Sequence, residues 1–126
     1  MKYGLLGERL GHSFSKIIHS MIGDYEYELC EVERSKLEGF LEKRDFIGIN
    51  VTIPYKELII PYLYSISDKA KSIGAVNTVV NRDGRLYGYN TDYDGLRLLA
   101  KKTGIDFLNK KVAILGTGGT SKTAYS

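Results

Sequence analysis

Tryptophan is absent from this chain, cysteine occurs once and proline twice. A single thiol, Cys30, excludes an internal disulfide, so an ordinary apolar core must hold the fold. Cys30 lies in the β-like run YEYELCEV, where it reads as a small buried hydrophobe rather than a reactive group. Long apolar runs are missing too. The first twenty residues, MKYGLLGERLGHSFSKIIHS, lack the apolar stretch of a signal peptide, and no segment approaches the roughly 18 apolar residues of a membrane span. The expectation is a cytoplasmic protein with no membrane partner. Charge of one sign is scarce: 18 basic residues are scattered among 15 acidic ones for a net +3. That balance lacks the basic stripe with interleaved aromatics of a nucleic-acid partner. His12 and His19 stand seven apart, and no Cys, His or carboxylate spacing completes a metal site.

What is present fits one soluble α/β domain. Short β-like runs, KYGLLG (2–7), YEYELCEV (25–32) and GINVTI (48–53), alternate with helical patterns. KIIHSMI (16–22) carries helical spacing with Ser15 as its N-cap, and Ser35 with Glu38 has capping-box spacing before KLEGFLEK. Pro54 stands where a helix can begin, and Pro61 should bend or break YKELIIPYL. SDKAKSI is another short turn. AVNTVV and RLYGYN then flank Asn81-Arg82-Asp83-Gly84 as a hairpin, and Thr91 and Asp92 are N-cap residues for DGLRLLAKKT. The predicted fold is a mostly parallel sheet with helices on both faces and one antiparallel hairpin.

Three polar clusters fall where strands end, the place at which open α/β sheets bind ligands. In GHSFS, Ser13 and Ser15 stand before a helix and could grip a carboxylate; the plainer alternative is a cap and a solvated loop residue. In NVTIPYK, Thr52 ends a strand and Lys56 falls in the first turn of a helix, where the dipole opposes its charge, as suits a group that exchanges protons. AVNT and YNTDYDG supply Asn77, Asn90, Thr91 and Asp92. Asp92 can cap a helix and also hold a lysine; it stabilises the ammonium that burial and the dipole oppose.

The segment KVAILGTGGTSKT (111–123) reads as an apolar strand entering a glycine-rich turn. Gly116 and Gly118 fit the dinucleotide pattern G-x-G-x-x-G, with Ser121 at the third position. Gly116, Lys122 and Thr123 fit the triphosphate loop G-x-x-x-x-G-K-[ST], again missing at Ser121. Both hold phosphate with backbone N–H groups, so the loop alone does not choose. The layout is one domain over residues 1–102, then a linker and the first strand and Gly-rich turn of a Rossmann domain over 103–126. The sequence is therefore expected to be a piece of a larger protein.

Taken together and in this order, GERLGHSFSKIIHS, GINVTIPYKE, GAVNT, GYNTDYDG and VAILGTGGTSKTA resemble the N-terminal part of the shikimate dehydrogenase family. The resemblance implies an NADP-dependent oxidoreductase that interconverts 3-dehydroshikimate and shikimate in aromatic amino-acid biosynthesis. It implies that Ser13 and Ser15 bind the substrate carboxylate and that Thr52, Asn77 and Asp92 bind ring hydroxyls or carboxylate. Lys56, paired with Asp92, would be the acid/base group. Gly116, Gly118, Gly119, Thr120 and Ser121 would line the pyrophosphate of NADP in a site that this chain leaves incomplete. Lys16 and Ser20 stand where the family usually has proline and asparagine, which leaves quinate as an alternative to shikimate. The chain alone is expected to bind substrate without turnover, and its last strand to stay unpaired or to pair with a second copy. A non-catalytic shikimate- or quinate-binding module is the alternative from another class.

Overall fold

A computed structural model describes residues 1–126. Its centre is one six-stranded sheet in the order β2-β1-β3-β5-β6-β4, built from β1 (Tyr3–Gly7), β2 (Tyr27–Glu31), β3 (Gly48–Val51), β4 (Ser65–Ile66), β5 (Thr78–Arg82) and β6 (Arg85–Tyr89). β1 pairs in parallel with β2 and β3, β4 pairs in parallel with β6, and β5 is antiparallel to both of its neighbours. Five strands therefore point one way and β5 alone runs against them. The cause is local: Asp83 and Gly84 both take positive φ, 51° and 76°. A two-residue turn of that kind matches the twist of a tight hairpin.

This topology gathers the site. The C-terminal ends of β1, β3 and β6 and the N-terminal end of β5 all lie along one margin of the sheet. GHSFS follows β1, NVTIPYK leaves β3, Asn77 precedes β5 and Asn90-Thr91-Asp92 follows β6. Segments far apart in sequence thus meet at one place.

The alternation of side chains along each strand separates two clusters. Leu6, Ile49, Val51, Val79 and Leu86 pack with Leu37 and Leu41 of α2 (Leu37–Lys43), Tyr55 of α3 (Tyr55–Leu58) and Ala70 of α4 (Asp68–Ile73). On the other face Leu5, Leu10 and Tyr27 form a smaller cluster, beside α1 (Ser15–Ile22), whose His19 ring stacks on Tyr27 at 3.7 Å between centroids. Helices thus lie on both faces. α5 (Asp92–Lys102) and α6 (Gly119–Tyr125) complete the chain, and no helix is long and apolar enough to cross a membrane.

Several local expectations change. The first helix begins at Ser15 with Phe14 at its N-cap, and the Ser13 hydroxyl accepts the Ser15 N–H at 3.2 Å. Ser13, not Ser15, satisfies a free N–H at the helix start. Ser35 sits inside a short 3₁₀ turn, Arg34–Lys36, so no capping box forms with Glu38. Thr91 is at the N-cap of α5, but its side chain turns to Asn77, and Asn90 Oδ1 accepts the Tyr93 N–H at 3.2 Å instead. At Pro61 the chain passes through a 3₁₀ turn, Ile60–Tyr62, and then into β4, a two-residue strand not expected from the sequence. The expected strand over 111–116 carries no ladder and its residues are exposed. Strand-forming side chains without a neighbouring strand cannot satisfy their backbone groups by pairing.

Tyr55 anchors the segment that carries the site lysine. It is completely buried, its hydroxyl donates to the Val32 carbonyl, and burial raises its phenol above the ordinary range. Tyr55→Ala is expected to cost about 3–5 kcal/mol of stability, and Tyr55→Phe, which keeps the ring and loses one hydrogen bond, about 1 kcal/mol. Urea unfolding midpoints of the two variants check this; equal losses would mean that ring packing is not the anchor.

Candidate active site

Lys56 and Asp92 meet at the margin described above, with Lys56 Nζ donating to Asp92 Oδ2 at 2.6 Å. Their side chains are 14% and 33% exposed, so the contact is shielded on most sides yet open to a ligand. Lys56 is held from three directions. Tyr55 precedes it in the core, the Lys56 carbonyl accepts the Val76 N–H at 2.7 Å, and Gly119 packs on its stem. A Cβ on Gly119 would lie 3.2 Å from both Lys56 Cβ and Cδ. Only glycine lets α6 approach this closely without moving the lysine.

Asp92 is fixed by a neighbouring amide. Asn77 Nδ2 donates to Asp92 Oδ1 at 2.9 Å and to Thr91 Oγ1 at 2.9 Å, while Asn77 Oδ1 accepts the Thr91 N–H at 2.9 Å. Asn77 is itself buried, so its amide has its partners where water does not reach.

The pair separates two hollows. On one side a cavity of about 280 Å³ is lined by Ser15, Asn50, Thr52 and Asn77 as well as by the pair. Beside it lies a second hollow bordered by Ser13, His12 and Arg9, which shares Ser15 and Thr52 with the first. On the other side a cavity of about 310 Å³ is bounded by Lys56 and Asp92 together with Thr120 and Thr123 of α6. Ser13, Ser15, Thr52, Lys56, Asn77 and Asp92 therefore border two adjoining hollows. Of the glycine loop, only Thr120 borders the cavity shared with the pair, and Gly119 lies behind the lysine stem. Asn50 and His19 also line the 280 Å³ cavity. Asn50 lies inside GINVTIPYKE, but the sequence offers no contact to assign to it. His19 carries no local signal because its placement depends on how α1 lies over β2.

The triphosphate reading of the loop loses its two marker residues to other partners. Lys122 Nζ binds Glu57 Oε2 at 2.6 Å. Thr123 is buried, its hydroxyl donating to the Gly119 carbonyl at 2.9 Å and accepting from Asn90 Nδ2 at 3.5 Å. Neither side chain is presented to the loop as a triphosphate site needs. Gly116 sits at φ 122°, and a side chain on Gly118 would meet no protein atom within 4 Å. That leaves the loop backbone open, a cradle compatible with the pyrophosphate of a dinucleotide.

Tyr27 stands behind the cavity wall, its hydroxyl donating to Asn50 Oδ1 at 2.7 Å. Burial pushes its phenol up to about 12, with Tyr25 and Cys30 adding to the shift, so the hydroxyl stays a donor throughout the neutral range.

The family described as "Shikimate dehydrogenase substrate binding domain" matches residues 5–79. The protein named shikimate dehydrogenase (NADP(+)) from Clostridium beijerinckii is 43% identical, over 98% of this chain and 49% of its own length. Among solved structures, shikimate dehydrogenase 1 from Peptoclostridium difficile superposes with a TM-score of 0.91 at 46% identity, over 99% of this chain and 50% of that one. The Thermus thermophilus enzyme, solved in complex with NADP(H) and shikimate, gives 0.85 at 35% identity, over 98% and 49%. The chain spans about half the length of the relatives it matches.

Burial of Tyr27 sets a pH dependence. An ordinary phenol in the unfolded chain titrates near pH 10, whereas folded Tyr27 holds its proton to about 12. Between these values the unfolded chain binds fewer protons, so stability is intact below about pH 10 and falls as pH rises toward 12. Urea midpoints should drop across that window, and Tyr27→Phe should flatten part of the drop. Midpoints level across it would contradict the assignment.

Proposed function

The chain belongs to the family of shikimate dehydrogenase substrate-binding domains, and from that premise we propose that it is the substrate-holding part of an NADP-dependent shikimate dehydrogenase. In this reading residues 1–102 bind shikimate or 3-dehydroshikimate and residues 103–126 begin the cofactor domain. The observation that carries the proposal is the Lys56–Asp92 contact, standing between the cavity that the serines and Thr52 border and the one that α6 borders.

The chemistry follows from these positions. Ser13 and Ser15 present hydroxyls to a carboxylate at one end of the hollow. Thr52 presents its hydroxyl to the ring hydroxyls, Asn77 borders the same space with an amide N–H that can turn from Thr91 to the ligand, and Asp92 accepts a hydrogen bond from one of the ring hydroxyls. As the neutral amine, Lys56 Nζ takes the proton of the hydroxyl being oxidised and becomes the ammonium that Asp92 holds; in the reverse direction the ammonium gives that proton back and returns to the amine. Gly116, Gly118, Gly119, Thr120 and Ser121 would line the pyrophosphate of NADP. When bound, NADP supplies the hydride acceptor. The protein's own contribution is to hold donor and acceptor in one geometry, and the packing of Gly119 on Lys56 makes the loop and the proton-transferring group neighbours.

Lys16 borders the hollow beside the outer edge of β2 rather than the one holding the serines, so the charge it adds lies away from the proposed carboxylate site.

Thermal unfolding with and without millimolar shikimate tests the proposal. Ligand at about 100 times its dissociation constant adds about 2.7 kcal/mol, and the transition should move upward with shikimate. A cooperative transition that neither shikimate nor quinate moves would overturn the reading. In a protein of the relatives' full length that carries this sequence, Lys56→Ala should slow turnover about 10²–10⁴-fold with a much smaller change in shikimate affinity. A non-catalytic binding module would show the affinity and no turnover to lose.

A further inference from the structure

A run of hydrogen bonds crosses the sheet from β2 to the active-site pair, and every donor in it points the same way. Tyr27 Oη donates to Asn50 Oδ1 at 2.7 Å, and Asn50 Nδ2 donates to Thr78 Oγ1 at 3.3 Å. Thr78 Oγ1 donates to Asn77 Oδ1 at 3.1 Å, and Asn77 Nδ2 to Asp92 Oδ1 at 2.9 Å. Lys56 closes the run from the far side on Asp92 Oδ2.

Such a run has a head, and the head is Tyr27. An asparagine amide has nearly the same shape in either of its two orientations, so its partners alone decide which atom faces which neighbour. Asn77 is set locally, because the backbone N–H of Thr91 claims its oxygen. Asn50 has no backbone donor on its side chain. Both of its partners are hydroxyls, but the phenol is the stronger donor and the poorer acceptor, and its bond to Asn50 is the shorter, 2.7 Å against 3.3 Å for Thr78. The Tyr27 hydroxyl thus holds Asn50 Oδ1 toward β2 and leaves the amide nitrogen to Thr78. The ring reaches Asn50 across β1, the strand between β2 and β3, and is clamped there by His19 stacking on it. His19 Nδ1 is in turn tied to the Tyr25 hydroxyl at 2.6 Å.

We propose that Tyr27 is a positioning residue for the substrate cavity, acting through Asn50 and Thr78 to fix the polarity of the amides that wall it. The inference rests on the reading of this cavity as the shikimate site. With the hydroxyl removed, Asn50 can turn its oxygen to Thr78, the Thr78 hydroxyl then donates to Asn50, and Asn77 loses that donor.

Tyr27→Phe isolates the effect, since the ring that packs on Leu5 and His19 is retained. Shikimate affinity is measured by calorimetry for the wild-type chain, Tyr27→Phe, Asn50→Ala and the double variant, alongside the side-chain amide signals of Asn50 and Asn77 in ¹⁵N-correlated NMR spectra. Loss of one directing hydrogen bond predicts about tenfold weaker binding for Tyr27→Phe, displaced Asn50 and Asn77 amide signals, and no further loss when Tyr27→Phe is added to Asn50→Ala. Wild-type affinity in Tyr27→Phe, or an undiminished effect of Tyr27→Phe in the Asn50→Ala background, would overturn the inference. If the wild-type chain binds no shikimate, the functional reading of the cavity fails separately. The amide signals then decide alone: displaced in Tyr27→Phe they support the positioning role, unmoved they refute it.

Discussion

The site depends on one contact between residues 36 positions apart, the 2.6 Å approach of Lys56 to Asp92. A flexible lysine does not keep such a position by its own preference; ordering its side chain costs about 2 kcal/mol of rotamer entropy. The surroundings supply the constraint. Tyr55 sinks into the core immediately before it, Val76 binds its carbonyl, and Gly119 closes on its stem. Asp92 is held with equal definition by Asn77. A mobile cation and an exposed carboxylate would make a weak surface pair; these two make a fixed boundary between two hollows.

The antiparallel strand is what makes that contact possible. Were β5 parallel to its neighbours, Asn77 would enter the sheet at the opposite margin, far from Lys56 and Asp92. The hairpin turn at Asp83-Gly84 therefore has a consequence well away from itself. It brings an asparagine that precedes a strand to the same edge as an aspartate that follows one. The same economy appears in α6, where Lys122, Thr123 and Gly119 each engage the first part of the chain, at Glu57, Asn90 and Lys56.

How much was legible in the sequence differs by the range of the interaction. The hairpin, the break at Pro61, the helix over KLEGFLEK and the strands at 2–7 and 48–53 follow from local chemistry, and the structure has them. Lys56, Asn77 and Asp92 stand out because each sits beside a strand end, where polar side chains have a use. The Ser15 cap and the Ser35–Glu38 box fail because spacing alone does not say which residue begins a helix. Ser13 and Phe14 move that boundary, and a 3₁₀ turn consumes Ser35. Val112, Ile114 and Leu115 have strand chemistry and are exposed, since propensity makes a strand only where another strand offers its edge. Tyr27, His19 and Thr78 are invisible as site residues for a different reason. Their roles come from the strand order β2-β1-β3-β5 and from the way α1 lies over the sheet, neither of which leaves a mark on neighbouring residues.

The most direct measurement is a titration of ¹⁵N-labelled chain with shikimate, followed by backbone and side-chain NMR signals. Saturable shifts are expected at Ser13, Ser15, Thr52, Lys56, Asn77 and Asp92, with the glycine loop at 116–121 perturbed only near Thr120, on the far side of the Lys56–Asp92 pair. Saturable shifts centred elsewhere, with this group of residues unmoved, would contradict the claim that the pair bounds the substrate site.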